Sequence, residues 1–215
     1  MLRLRIPALL AALAASPLAA CGLVSSSTPL FPGQASVQRF DFEHDTLHQA
    51  PDGFDAGPGQ WTVVDSPTAT SGTQVLVRGG ENSAVLTVKD AAGVTSAAGE
   101  VAVRVFLGSS GAGLSCIGAG NGPGHFLKIE PGAARMALYR KTDDSMKVVD
   151  QTPAAVPKGE WARLGIRCEA DRVVGYLDGK PVVRDRNAAG AFDLALYTDA
   201  GVTAQFDDLT YWAKK

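Results

Sequence analysis

The cysteines are the residues whose positions say most about chemistry in this chain. Cys21 closes the run Leu18-Ala19-Ala20-Cys21, behind Arg3, Arg5 and an apolar stretch from Leu9 to Leu18. That stretch is too short for a bilayer core of ~30 Å, which takes about 20 apolar residues, so it reads as a cleaved secretory leader. A secreted chain meets oxidising conditions. With Cys21 set aside, Cys116 and Cys168 form an even pair. Leu114 shares a strand face with Cys116, and Leu164 and Ile166 share one with Cys168, so both thiols are expected in one core. A Cys116–Cys168 disulfide is the expectation, with two buried free thiols as the alternative.

Other reactive residue types fall at poor spacings. Ser115, in Gly113-Leu114-Ser115-Cys116-Ile117, lacks the second glycine of a nucleophile elbow. His44 and His48 have a zinc-like interval, but a Pro-bearing loop follows and no third ligand is evident, so no metal is assigned. Gly118-Ala119-Gly120-Asn121-Gly122-Pro123-Gly124 has the glycines of a phosphate cradle without the following helix whose dipole would hold the anion. It reads as a connection between strands. Asp207 and Asp208, with Asp41 or Glu43, would suit a structural Ca²⁺ if the first and last strands pair, because that ion takes hard oxygen donors. The alternative is an Asp-Asp step that ends strand pairing. No other cofactor is expected.

These groups must be positioned by short extended segments. From Val37 onward, period-two segments such as Ala84–Val88, Arg135–Lys141, Arg163–Cys168 and Asp193–Thr198 recur between turn signals. The signals include Gly79-Gly80, Pro131-Gly132 and Asp178-Gly179. Even spacing of this kind marks a sandwich or barrel, and no stretch keeps a helical period over three turns. The expected fold class is all-β. Phe40-Asp41-Phe42-Glu43 resembles Phe206-Asp207-Asp208-Leu209 in pattern, and pairing of the two would bring the ends of the domain together. Residues 22–36 carry Ser, Gly and Pro and no charge, the composition of a flexible tether. Three regions follow: a leader at 1–20, Cys21 with its tether at 21–36, and one domain at 37–215. Removing the leader takes two arginines and no acid, leaving 18 basic against 22 acidic side chains. That balance gives no electrostatic footprint for nucleic acid.

Small residues at Ala19 and Ala20 directly before Cys21 resemble the bacterial lipoprotein signal, and an ordinary signal peptide is the alternative. The resemblance implies a diacylglyceryl and acyl (palmitate) chain on Cys21, and so a bilayer as partner and the cell envelope as location. Gly22 in place of Asp after the cysteine resembles the outer-membrane class of diderm bacteria. The domain carries Trp161-x-x-Leu164-x-Ile166, Tyr176-Leu177-Asp178-Gly179-Lys180 and Phe206-Asp207-Asp208-Leu209, with Gly57-Pro58-Gly59-Gln60-Trp61 and Pro67-Thr68-Ala69-Thr70-Ser71-Gly72. In these motifs it is similar to the concanavalin A-like lectin/glucanase jelly rolls, closest to their LamG-like and keto-disaccharide-hydrolase-like branches. The likeness implies a β-sandwich of two antiparallel sheets. The chain departs from the pattern where relatives show G-L-V-W-R and N-Y-Y, having Gly113–Ile117 and Gly124-His125-Phe126 instead.

Glycosidases of that fold place E-x-D-x-x-E on one strand, with alternate carboxylates spaced for two-carboxylate hydrolysis. The motif is absent: Glu43-His44-Asp45 has His48 where the second Glu would fall, and Glu169-Ala170-Asp171 sits on a turn. No catalytic residue is assigned. Sugar faces stack on aromatic rings, and Tyr139, Tyr176 and Trp161 are the candidates for that role, set against simple core packing. The expected function is non-catalytic recognition of carbohydrate or cell envelope. The alternatives are a keto-disaccharide-type hydrolase and a purely structural envelope protein.

Overall fold

The computed structural model describes residues 37–56, 60–89, 93–107, 110–118, 122–143, 145–187 and 192–214. Cys21, the leader and the tether lie outside the described residues. The strands are β1 (Gln38–Phe40), β2 (Phe54–Ala56), β3 (Gln60–Asp65), β4 (Gln74–Gly79) and β5 (Ala84–Val88). Next come β6 (Ser96–Leu107), β7 (Ala112–Ile117), β8 (Gly124–Glu130), β9 (Arg135–Lys141) and β10 (Met146–Pro153). The last five are β11 (Trp161–Glu169), β12 (Arg172–Leu177), β13 (Lys180–Asp185), β14 (Asp193–Thr198) and β15 (Thr203–Lys214).

Two antiparallel sheets result. One runs β13-β12-β11-β6-β15-β4-β3, with β1 also paired to β15; the other runs β10-β9-β8-β7-β14-β5-β2. Alternation explains the layering. In β5, Ala84, Leu86 and Val88 are buried while Val85 and Thr87 are only partly covered, so one face goes to the core and the other outward. Leu76, Val103 and Leu164 from the first sheet meet Leu86, Leu114 and Leu127 from the second in a single core. Cys116 on β7 and Cys168 on β11 are bonded across that core, with Cα atoms 6.6 Å apart, within the span a disulfide allows.

Turn chemistry sets the edges. Asp178 and Gly179 both take positive φ, 49° and 74°, the combination a two-residue hairpin turn requires, and they join β12 to β13 with Leu177 opposite Lys180. β15 breaks register between Asp207 and Thr210, where Asp208 has φ 51°. That bulge passes one edge of β15 from β4, paired at residues 204–206, to β1, paired at Leu209–Tyr211. The first and last strands therefore meet as expected.

The acidic residues at this junction do not fit a calcium ion. Asp207 is fully buried and accepts the Thr70 and Ser71 amide N–H groups at 2.7 and 3.2 Å. Asp208 accepts the Ser71 hydroxyl at 2.7 Å, and Glu43 accepts the Thr73 and Gln74 amides at 2.9 and 2.7 Å. Asp41 accepts the Glu43 amide at 3.1 Å. An N–H aimed at an oxygen brings positive charge to the place a cation would occupy. Among the described residues no group of three or more His, Cys, Asp or Glu side chains is placed to hold one metal ion. These carboxylates fasten the Ser66–Thr73 loop to the end of the sandwich.

Candidate functional site

β8 is the strand to follow. Leu127 and Ile129 point into the core, so Phe126, Lys128 and Glu130 point outward. Yet Lys128 and Glu130 are each 4% exposed, which is unusual for charges on the outer face of a sandwich. Burying such ions costs several kcal/mol each unless they are paired, and here they are. Lys128 Nζ donates to Asp199 at 2.8 and 3.0 Å and stands 3.6 Å from Glu130. Arg135 Nε donates to Glu130 at 2.5 Å, and its Nη atoms reach Gln151 at 2.6 Å and the Tyr139 hydroxyl at 2.9 Å. The Tyr139 hydroxyl donates to Glu130 at 2.6 Å, and the Tyr197 hydroxyl to Asp199 at 2.8 Å.

Two cations and two carboxylates balance, and aromatic rings enclose them. Lys128 Nζ lies 3.9 Å above the centre of the Tyr139 ring, close enough for a cation–π attraction. Phe126 meets Tyr197 edge-on at 4.7 Å, and both pack with Ile117 and Ala195. Burial and the Glu130 carboxylate raise the Tyr139 phenol to about 12. Burial, with Asp199 beside it, also raises Tyr197. Both phenols therefore remain hydrogen-bond donors at neutral pH. Gln151 is exposed and Tyr139, Arg135 and Asp199 are half-buried, while the buried Lys128, Glu130 and Tyr197 fix their positions. Both carboxylates are occupied by cations and phenols, so no carboxyl stands free to protonate a leaving group beside a second carboxylate. The arrangement suits recognition: a fixed ring rimmed by a guanidinium and an amide.

The other predicted aromatics are elsewhere. Trp161 and Tyr176 lie on the opposite sheet. Trp161 donates its indole N–H to the Thr68 carbonyl at 2.7 Å and takes Arg104 against its ring at 5.5 Å, so it helps hold the Ser66–Thr73 loop. Tyr176 is 2% exposed and packs with Ala98, Trp212 and Val174. The structure does not bring Tyr139, Tyr176 and Trp161 together. Ser115 is buried on β7, its hydroxyl 3.4 Å from the Ala195 carbonyl. His44 and His48 lie in the segment after β1, where the His48 amide donates to Val63. Glu169 pairs with Arg167 and Arg172. The glycine-rich connection closes through Gly118 donating to Pro123, and residues 119–121 lie outside the described residues.

Lys128, Glu130, Arg135, Tyr197 and Asp199 escaped the sequence reading. One signal was available: Lys and Glu alternate with Leu and Ile along a strand that otherwise reads as fully buried. Their partner Asp199 is 71 residues from Lys128, a proximity that only the sheet order creates.

The same architecture recurs in solved structures of low sequence identity. The carbohydrate-binding module CBM66 from Bacillus subtilis superposes with a TM-score of 0.62 at 15% identity, over 79% of this chain and 99% of that one. The cellulose-induced protein Cip1 gives 0.55 at 17% identity, over 81% and 96%. The transglycosylase Crh5 gives 0.55 at 13%, over 84% and 85%. The fold is the concanavalin A-like jelly roll. No protein-family model and no curated protein matches the sequence. Within this fold, Ile117 and Phe126 stand at the outward positions where the resembled pattern has Arg and Tyr, while Cys116 and His125 point inward.

Proposed function

We propose that this chain is a glycan-recognition module held at a bacterial cell envelope by a lipid on Cys21. The observation that carries the reading is the Tyr139 face: an accessible ring fixed by Glu130 and Arg135 over a neutral, fully paired ionic network. A sugar lays its C–H face on such a ring and hydrogen-bonds its hydroxyls to the guanidinium and amide at the rim. Three solved structures of the same fold, one of them named as a carbohydrate-binding module, support the choice of ligand class.

Affinity through one ring and two polar groups is expected in the ~mM to µM range, about 4–8 kcal/mol. The test is calorimetric titration of the full chain with a panel of neutral oligosaccharides, repeated with Tyr139→Ala and Tyr139→Phe. The Ala variant should lose at least tenfold in affinity. The Phe variant, which keeps the ring, should retain more of it. Unchanged affinity in Tyr139→Ala, with a native circular-dichroism spectrum, would place binding elsewhere. Turnover of a glycoside by the same preparation would favour a hydrolase instead.

A further inference from the structure

A second concavity lies on the outer face of the sheet opposite to the one that carries Tyr139. There β11, β12 and β13 form a groove of about 270 Å³. That is slightly below the usual ~300–1,000 Å³ of pockets for drug-sized ligands, so it suits one sugar unit rather than a long chain. Its floor is Tyr176, immobilised against Ala98, Trp212 and Val174. One wall presents Arg167, Glu169 and Arg172, and the other Pro181, Val182 and Arg184. Strand register accounts for this alignment, since Arg167, Val174 and Arg184 stand opposite one another across the three strands.

Charge separates this groove from the Tyr139 face. Three guanidinium groups and one carboxylate line it, an excess of two positive charges. Glu169 ties Arg167 and Arg172 together, and Arg167 also bonds the Tyr176 hydroxyl, so that wall is held rigidly. Arg172 is 54% exposed and bonds Glu169 through Nε, which leaves its Nη donors directed away from that contact. The Arg184 side chain is exposed and meets no carboxylate among the described residues. The carboxylates that flank the groove sit outside its lining: Asp171 in the β11–β12 turn, and Asp150, which accepts the Arg184 backbone N–H at 2.8 Å. Two guanidinium forks over an apolar and aromatic floor are the complement of a planar anion attached to a sugar ring.

We propose that this groove binds a uronic acid residue, its carboxylate between Arg172 and Arg184 and its ring against the exposed Pro181 and Val182. The site is separate from the Tyr139 face and adds a preference for acidic glycans to whatever that face recognises. Calorimetry on the full chain tests it with a galacturonate disaccharide and with the same disaccharide after carboxyl reduction. The acidic form should bind at least tenfold more tightly, and its affinity should fall as salt is raised from 50 to about 500 mM, as screening of exposed charges requires. Arg184→Gln and Arg172→Gln, both exposed and therefore tolerated by the fold, should each weaken it about tenfold and leave neutral-glycan binding unchanged. Tyr139→Ala should leave the acidic disaccharide unaffected, which separates failure of this site from failure of the other. Equal affinity for the two disaccharides, or wild-type affinity in both arginine variants, overturns the proposal. Inorganic phosphate displacing the disaccharide at equal concentration also overturns it, because the groove would then be a simple anion site without a sugar subsite.

Discussion

At the scale of single residues, His125 is the titrating group most constrained by its surroundings. It is 3% exposed, and its Nε2 lies 2.9 Å from Asp185, which also receives Arg140 at 2.8 and 2.9 Å. Burial holds the imidazole below its ordinary 6.5, against the pull of Asp185. Asp185 is lowered, since donation from His125, the Asn187 amide and Arg140 outweighs its own burial. A histidine depressed in the folded state binds its proton more readily when unfolded. Its contribution to stability is therefore complete above pH 6.5 and is lost as pH falls below that value. The Asp185 contribution is lost only further down, below its ordinary 3.8. The urea midpoint should fall between pH 7 and pH 5, and His125→Gln should flatten that slope; equal midpoints at the two pH values would contradict this reading. Asp185→Ala leaves the buried His125 and the half-buried Arg140 without their carboxylate and should cost about 1–3 kcal/mol. None of this was legible in the sequence, where His125 marked only a departure from a family pattern. Its partner is 60 residues away on the other sheet.

At the scale of elements, the strands were readable where both faces of the sheet have distinct jobs. Ala84–Val88, Arg135–Lys141 and Asp193–Thr198 appear with the boundaries the alternation suggests. The start of β6 at Ser96 carries no such signal, because Ala97, Ala98 and Gly99 show no alternation. Small side chains are needed there: a Cβ on Gly99 would come within 3.0 Å of Leu194. β2 was missed altogether, being three residues paired only to β5. The disulfide was legible because two alternating strands aimed their cysteines inward, and the structure shows what it joins, β7 of one sheet to β11 of the other. Replacing Cys116 and Cys168 together by Ala should lower stability by up to ~4 kcal/mol on the loop-entropy account. The fold should persist, since every strand pairing survives without the bridge. Thermal unfolding of the variant and of the reduced parent checks this, and melting temperatures equal to the oxidised parent would refute it.

At the scale of the whole molecule, the fold was readable from turns and hairpins, and Tyr139 was legible as a candidate, while its ionic surroundings were not, because Asp199 after β14 reaches Lys128 on β8 only through the sheet order. The proposed anchor has its own test. Cys21→Ser should abolish metabolic labelling with lipid and leave the precursor uncut by lipoprotein signal peptidase; unchanged labelling would remove the lipid from the account. The position of β15 carries one more consequence. This strand, residues 203–214, is an interior member of its sheet, between β6 on one side and β4 and β1 on the other. Gln38 and Tyr211 touch across 173 residues. The sheet therefore cannot be completed until β15 has been made, and contacts this distant in sequence form slowly. Until then β6 and β4, which flank β15 in the finished sheet, have no partner at that position.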